Sequence, residues 1–193
     1  MRLLIMGPPG AGKGTQATAV ALHYRVPAIS SGAIFRDNID RRTPLGLKVE
    51  ALIAVGDFVP DVITSSLVFA RLLEPDCATG WLLDGYPRTL GQVEALDLAM
   101  SERGEVLDAA ISLLADPDEL VGRMLRRAEI EGRLDDNEQT IRHRIGVYHE
   151  ETVELLDLYR ERELLVEVDA LGEVGDVTRR LIQALDARLG SRR

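Results

Sequence analysis

The chain alternates short apolar runs with longer segments in which apolar residues recur every three or four positions. The runs "RLLIM" (2–6), "VPAIS" (26–30), "GWLLD" (80–84), "DAAISLL" (108–114) and "LLVEVD" (164–169) read as strands. Strands apolar on successive positions suit a parallel sheet covered on both faces. The helical spacing falls over 13–24, 31–41, 45–55, 61–73, 89–103 and 116–127. Gly56 and Pro60 punctuate this series, and Asp116 with Pro117 starts its last member. The longest helix is predicted to end near residue 162, with Ile141, Ile145, Tyr148, Thr152, Leu155 and Tyr159 along one stripe. "GDVTRRLIQALDARL" closes the chain as an amphipathic helix. Strand and helix in turn predict an α/β fold of three layers, doubly wound around a five-stranded parallel sheet. Two stretches break the alternation. Residues 31–59 place two helices between strands. Residues 127–137 form a polar excursion, and "EIEGRLDDNEQT" (129–140) reads as a loop ending at a helix cap. Both are expected to project from the core as small mobile pieces.

Composition narrows the class. At 193 residues the chain is long enough for one sizeable core. A net charge of -9 argues against bulk nucleic-acid or anionic-membrane binding. Any anion site must therefore be a local cluster of cations. The single cysteine, Cys77, excludes an internal disulfide and a multi-cysteine zinc site, and fits a reducing compartment. The apolar start is too short for a signal peptide or a membrane span, so a cytoplasmic protein is expected.

The stretch "GPPGAGKGTQ" (7–16) follows the first strand and opens the first helix. Strand, glycine-rich loop and helix in that order turn a composition into a P-loop hypothesis. Glycines let successive N–H groups turn inward on one anion, and the helix start adds its positive dipole end. The chain has 21 Arg and only two Lys, Lys13 and Lys48, yet position 13 is lysine. A compact ammonium fits such a loop where an arginine fork is too wide. The pattern departs from the usual one in that Gly14 separates the lysine from the hydroxyl of Thr15.

The second anchor is "LLDGYPR" (82–88). Asp84 ends a buried strand at the edge where α/β sheets bind ligands. It suits Mg²⁺, held directly or through water, or else a helix cap. Gly85 permits close backbone approach and Pro87 stiffens the turn presenting Arg88. A third group is Arg123, Arg127, Arg133 and Arg144. Arg123 and Arg127 are four apart and share a helix face. Spacing alone does not separate these four from a solvated basic face. His23, His143 and His149 show no metal spacing and read as helix-surface residues, and Cys77 reads as a small structural residue.

Taken together, "GPPGAGKGT", "SSGAIFR", "GDFVP", "LLDGYPRTLGQ", "EGRLDDNEQTIRHR" and "DALGEVGDV" resemble adenylate kinase over nearly the whole chain. The Gly-Thr after the lysine is that family's own variant, and "DGYPR" is specific to nucleoside monophosphate kinases. The resemblance implies a single P-loop kinase domain over 1–193. Its core would be 1–29, 60–125 and 137–193, with an AMP-binding segment at 30–59 and a short lid at 126–136. It implies ATP binding at Gly10, Ala11, Gly12, Lys13, Gly14, Thr15, Arg123 and Arg127, with Gly172 near the adenine. It implies AMP binding at Ser31, Arg36, Asp57, Phe58, Val59, Gly85, Tyr86, Pro87, Arg88 and Gln92, with Arg133 and Arg144 bridging to both phosphate groups. Asp84 would hold Mg²⁺ through water, and Thr15 is a second candidate ligand. The lid is the short form and lacks the cysteines of a structural zinc site. Three positions depart from the family's habit: Ala33 for an acid, Ser31 for threonine, and Ala128 for the glycine after the lid arginine.

The implied reaction is ATP + AMP ⇌ 2 ADP. A phosphomonoester's second pKa is about 6, so the attacking AMP oxygen is already anionic at pH 7 and no general base is required. What remains is to position two polyanions and stabilise spread negative charge. Lys13, Arg36, Arg88, Arg123, Arg133 and Arg144 suit that task, and Lys13, Asp84, Arg88, Arg123, Arg133 and Arg144 form the candidate catalytic set. Lid closure that excludes water is a known property of the family, not a reading of these residues. A monomer is expected on the same ground. A UMP/CMP kinase shares the fold, but Gln92 and Ser31 are the residue types of the adenine-binding members. A P-loop GTPase would need Asn-Lys-x-Asp, which is absent. A nucleotide-binding protein without catalysis is the remote alternative.

Overall fold

The computed structural model describes residues 1–131 and 137–190. Five strands, β1 (Arg2–Met6), β2 (Ala28–Ser30), β3 (Trp81–Asp84), β4 (Ala109–Leu114) and β5 (Leu165–Asp169), form one parallel sheet in the order β2-β3-β1-β4-β5. The register sets Ile5 beside Asp84 and beside Ile111.

The helices in chain order are α1 (Lys13–Tyr24), α2 (Ser31–Asp40), α3 (Pro44–Val55), α4 (Asp61–Leu72), α5 (Leu90–Glu102), α6 (Pro117–Glu131), α7 (Glu138–Val147), α8 (Val153–Glu161) and α9 (Val174–Gly190). Side chains of a strand alternate between faces. Leu3 and Ile5 enter one core with Val20 of α1 and Leu181 of α9. Leu4 and Met6 enter the other with Val68 of α4, Leu96 of α5 and Tyr159 of α8. Both faces of the sheet are thus covered, as the continuous apolar runs require. A third, small cluster of Phe35, Val49 and Val59, with Ile63 and Leu67 packed against it, joins α2, α3 and α4. The two-helix insertion therefore carries apolar packing of its own.

Three expectations need correction. The second strand is shorter than 26–30, because Pro27 has no N–H for the ladder, although its carbonyl accepts from Leu82 N at 2.9 Å. The helix expected to end at 127 runs to Glu131. "MLRRAEIE" holds no glycine or proline, and Ala128, the best helix former, stands where the resemblance would put a glycine. Of the expected lid 126–136, the first six residues are thus helical and 132–136 lie outside the described residues. Asn137 caps α7, its side chain accepting from Thr140 N at 3.0 Å. Finally, the long helix is continuous from 138 to 161 but is wound as a π turn over Tyr148–Thr152.

Candidate active site

The C-terminal ends of β1, β2 and β3 open into a cavity of about 620 Å³. Its floor is the loop between β1 and α1. Gly12 precedes α1 with φ 86, a left-handed conformation that a side chain would strain, so the loop can end in a helix start aimed at the cavity. Gly10, Gly12, Lys13, Gly14 and Thr15 line the cavity, whereas Ala11 is buried beneath the loop. The Lys13 ammonium donates to the carbonyls of Gly7 at 2.7 Å and Pro8 at 2.9 Å.

Around this loop stand Arg36 from α2, Asp84 and Arg88 from the β3–α5 turn, Arg123 and Arg127 from α6, and Arg144 from α7. They come from four separate parts of the chain and converge only through the fold. Tyr148 and Thr152 of the π turn line the same wall, and π turns recur at functional sites. A smaller cavity of about 80 Å³ adjoins the first. Ser31, Arg36, Asp57, Phe58, Val59, Gly85, Arg88, Gln92 and Arg144 line it. Arg36, Arg88 and Arg144 therefore face both spaces.

Arg88 is held at several points. Its Nε donates to Gly85 O at 2.8 Å, its backbone N–H to Gln92 Oε1 at 2.8 Å, and its carbonyl accepts from Thr152 Oγ at 3.0 Å. Its guanidinium carbon lies 5.1 Å from the centre of the Phe58 ring. Tyr86 does not reach either cavity. It is buried, with its hydroxyl 2.9 Å from Ser65 Oγ and donating to Gln92 O at 3.2 Å.

The crowding of positive charge shows in the titration of two groups. Burial pulls Lys13 down to about 8. Asp84 opposes this, and Arg88, Arg144 and Arg127 add to it. Burial, then Arg144, brings Arg88 down to about 10, with Asp84 opposing and Arg36 adding to the fall. Such a site is strained without an anion and relaxed by one. A measurable consequence follows for proton linkage. A polyphosphate beside Lys13 restores its full charge. Binding of ATP at pH 8 should therefore take up about half a proton, falling towards zero at pH 6.5, and affinity should decline as pH rises above 8. Calorimetric titration in buffers of different ionisation enthalpy measures this, and Lys13→Met should abolish it.

Not every expected residue meets the cavities. Gly172 lies in the β5–α9 connection and lines neither one. Pro87 lines the larger cavity, and Arg123 lines it too while pairing with Glu119 at 2.8 Å. Arg133 falls outside the described residues. Cys77 is buried, and its thiol is pushed up by burial. His143 lies on an exposed helix surface, as expected, and its Nε2 is 2.6 Å from Asp57 Oδ1, joining α7 to the turn after α3. Neither this pair nor the bond from Thr152 to Arg88 has a local sequence signal. Each spans more than sixty residues.

For a divalent cation the fit is chemical. Asp84 supplies a carboxylate at the strand end, its Oδ2 3.8 Å from where a side chain on Gly14 would begin, and Thr15 lines the cavity from the first turn of α1. These are the hard oxygen donors that Mg²⁺ prefers.

Comparison with known proteins is consistent with this geometry. The family model described as adenylate kinase matches residues 5–164. A protein called adenylate kinase from Nocardioides sp. is 53% identical over 186 residues, 96% of this chain and 97% of its own length. Its namesake from Clavibacter michiganensis is 56% identical over 187 residues, 97% of this chain and 94% of its own. One from Thermobifida fusca is 47% identical over 188 residues, spanning 97% of this chain and all of its own length.

Proposed function

The chain belongs to the adenylate kinase family, and from that premise we propose how it converts ATP and AMP reversibly into two ADP. An oxygen of the AMP phosphate attacks the γ-phosphorus of ATP. The new P–O bond forms as the bond from that phosphorus to the β,γ-bridging oxygen breaks, and both products leave as ADP. The attacking oxygen is already anionic near pH 7, so no residue need remove a proton. Lys13, the loop amides and Arg127 take the ATP phosphates. Arg36 and Arg88 take the AMP phosphate. Arg88 and Arg144, which face both cavities, bear on the transferring group between them. Their work is alignment and stabilisation of spread charge. Mg²⁺ bound with ATP would neutralise phosphate charge. Asp84 through water, and Thr15, are the residues to hold it.

The observation that carries this reading is the ring of six cations, Lys13, Arg36, Arg88, Arg123, Arg127 and Arg144, around one carboxylate, Asp84. Two of the six, Lys13 and Arg88, have their charged forms disfavoured by burial and by neighbouring cations. That arrangement suits two polyanions at once. We also take the protein to act as a cytoplasmic monomer, on the strength of its family alone. No helix among the described residues is long and apolar enough to cross a membrane.

Comparison of AMP, CMP and UMP as acceptors at fixed ATP tests the substrate. AMP should give the highest kcat/KM, with ADP formed from both partners. Preference for a pyrimidine nucleotide would overturn the assignment.

A further inference from the structure

Gln92 sits in the first turn of α5, 2% exposed, on the wall of the smaller cavity. A side-chain amide is ambiguous by itself, because turning it over exchanges its donor for its acceptor. Here its neighbours remove the ambiguity. The backbone N–H of Arg88, which can only donate, reaches Oε1 at 2.8 Å. The Asp61 carboxylate, which can only accept when ionised, takes Nε2 at 2.6 Å through Oδ1. Its other oxygen accepts from Thr89 Oγ at 2.7 Å, and that same hydroxyl accepts from Gln92 N at 3.2 Å. Every donor in this ring points at an acceptor, so each bond supports the next. Gly91 makes room for it: a side chain there would begin 3.1 Å from Asp61 Oδ2.

We propose that Asp61, with Thr89, is a positioning residue that locks the Gln92 amide in one orientation and thereby sets the base specificity of the acceptor site. This rests on the reading of the smaller cavity as part of the site for the acceptor monophosphate. One N–H and one lone pair of the amide remain for a ligand. Adenine offers an amino donor beside a ring-nitrogen acceptor. A 6-oxopurine offers the reverse, an oxygen acceptor beside an N–H donor. An amide free to turn over serves both in the same pose. A locked one serves only one of them there, and rejects the other by leaving like groups face to face. Turning Gln92 over would set its NH2 against the Arg88 N–H and its oxygen against the Asp61 carboxylate.

The test pairs AMP with inosine monophosphate, which differs only in that exchange of donor and acceptor. In Asp61→Asn, whose new amide can either donate or accept, the AMP-over-IMP ratio of kcat/KM should fall about tenfold. The change should come mainly through a raised KM for AMP, with KM for ATP unmoved. A folded variant that keeps the wild-type ratio, even with lower activity towards both, would overturn the proposal and leave the kinase reading intact. A wild-type protein inactive towards AMP would instead overturn the kinase reading, and this one with it. A second readout needs no change at position 61. In the wild-type NMR spectrum, the Gln92 side-chain amide, identified by its loss in Gln92→Ala, should show one proton shifted well downfield and slow to exchange. An amide signal like that of a free glutamine would also overturn the proposal.

Discussion

Arg88→Ala should lower turnover by about 10²–10³-fold, the usual effect of removing one preorganised charge donor from a reacting centre. Arg88 carries more than its charge. Phe58 backs its guanidinium, Gly85 O holds its Nε, and its main chain is fixed on one side by Gln92 and on the other by Thr152. The orientation is therefore set before any nucleotide arrives, and little reorganisation is left for the moment of reaction. Arg88→Lys keeps a positive charge but lacks the Nε that binds Gly85 and the flat face that stacks on Phe58, so it should recover only part of the loss. Steady-state assay of ADP formation with a thermal melt distinguishes the explanations. The expected result is a collapse in kcat with the melting temperature nearly unchanged, since Arg144 and Arg36 are relieved of a neighbour they repel. A melt lowered as a core cavity would lower it would mark Arg88 as structural.

Lys13→Arg should be about as damaging, although it conserves charge. The ammonium fits between the carbonyls of Gly7 and Pro8, inside the curve of the loop. A guanidinium is planar and wider, and it cannot lose its proton to ease its crowding with Arg88, Arg144 and Arg127. A loss of about 10²–10³-fold in kcat/KM for ATP is expected. An active Lys13→Arg enzyme would show that position 13 needs only a charge. The composition points the other way, because a chain with 21 Arg and two Lys has retained a lysine here.

The elements were legible where local chemistry decides them. The loop at 7–16 could be read because its glycines, its lysine and the flanking strand and helix are contiguous. Asp84 and Arg88 could be read for the same reason. What escaped was set by distance along the chain. Asp61 was not a candidate, since its hold on Gln92 spans thirty-one residues. His143 is the surface residue it was expected to be, but its pairing escaped because its partner, Asp57, lies on another segment. The π turn at Tyr148–Thr152 kept the helical stripe intact, so periodicity passed over it, yet it brings Thr152 to the Arg88 carbonyl. The end of α6 was misplaced for a different reason. Polarity was taken as loop, but charged and alanine residues without glycine or proline hold a helix well.

The strand order has a consequence for how this molecule is made. The first strand to leave the ribosome occupies the centre of the finished sheet, between strands that begin at Trp81 and Ala109. Until the second of these emerges, β1 is an unpaired apolar edge, the kind of surface that invites association with other nascent chains. The strand that carries the nucleotide loop thus gains its last neighbour only once Ala109–Leu114 has been made.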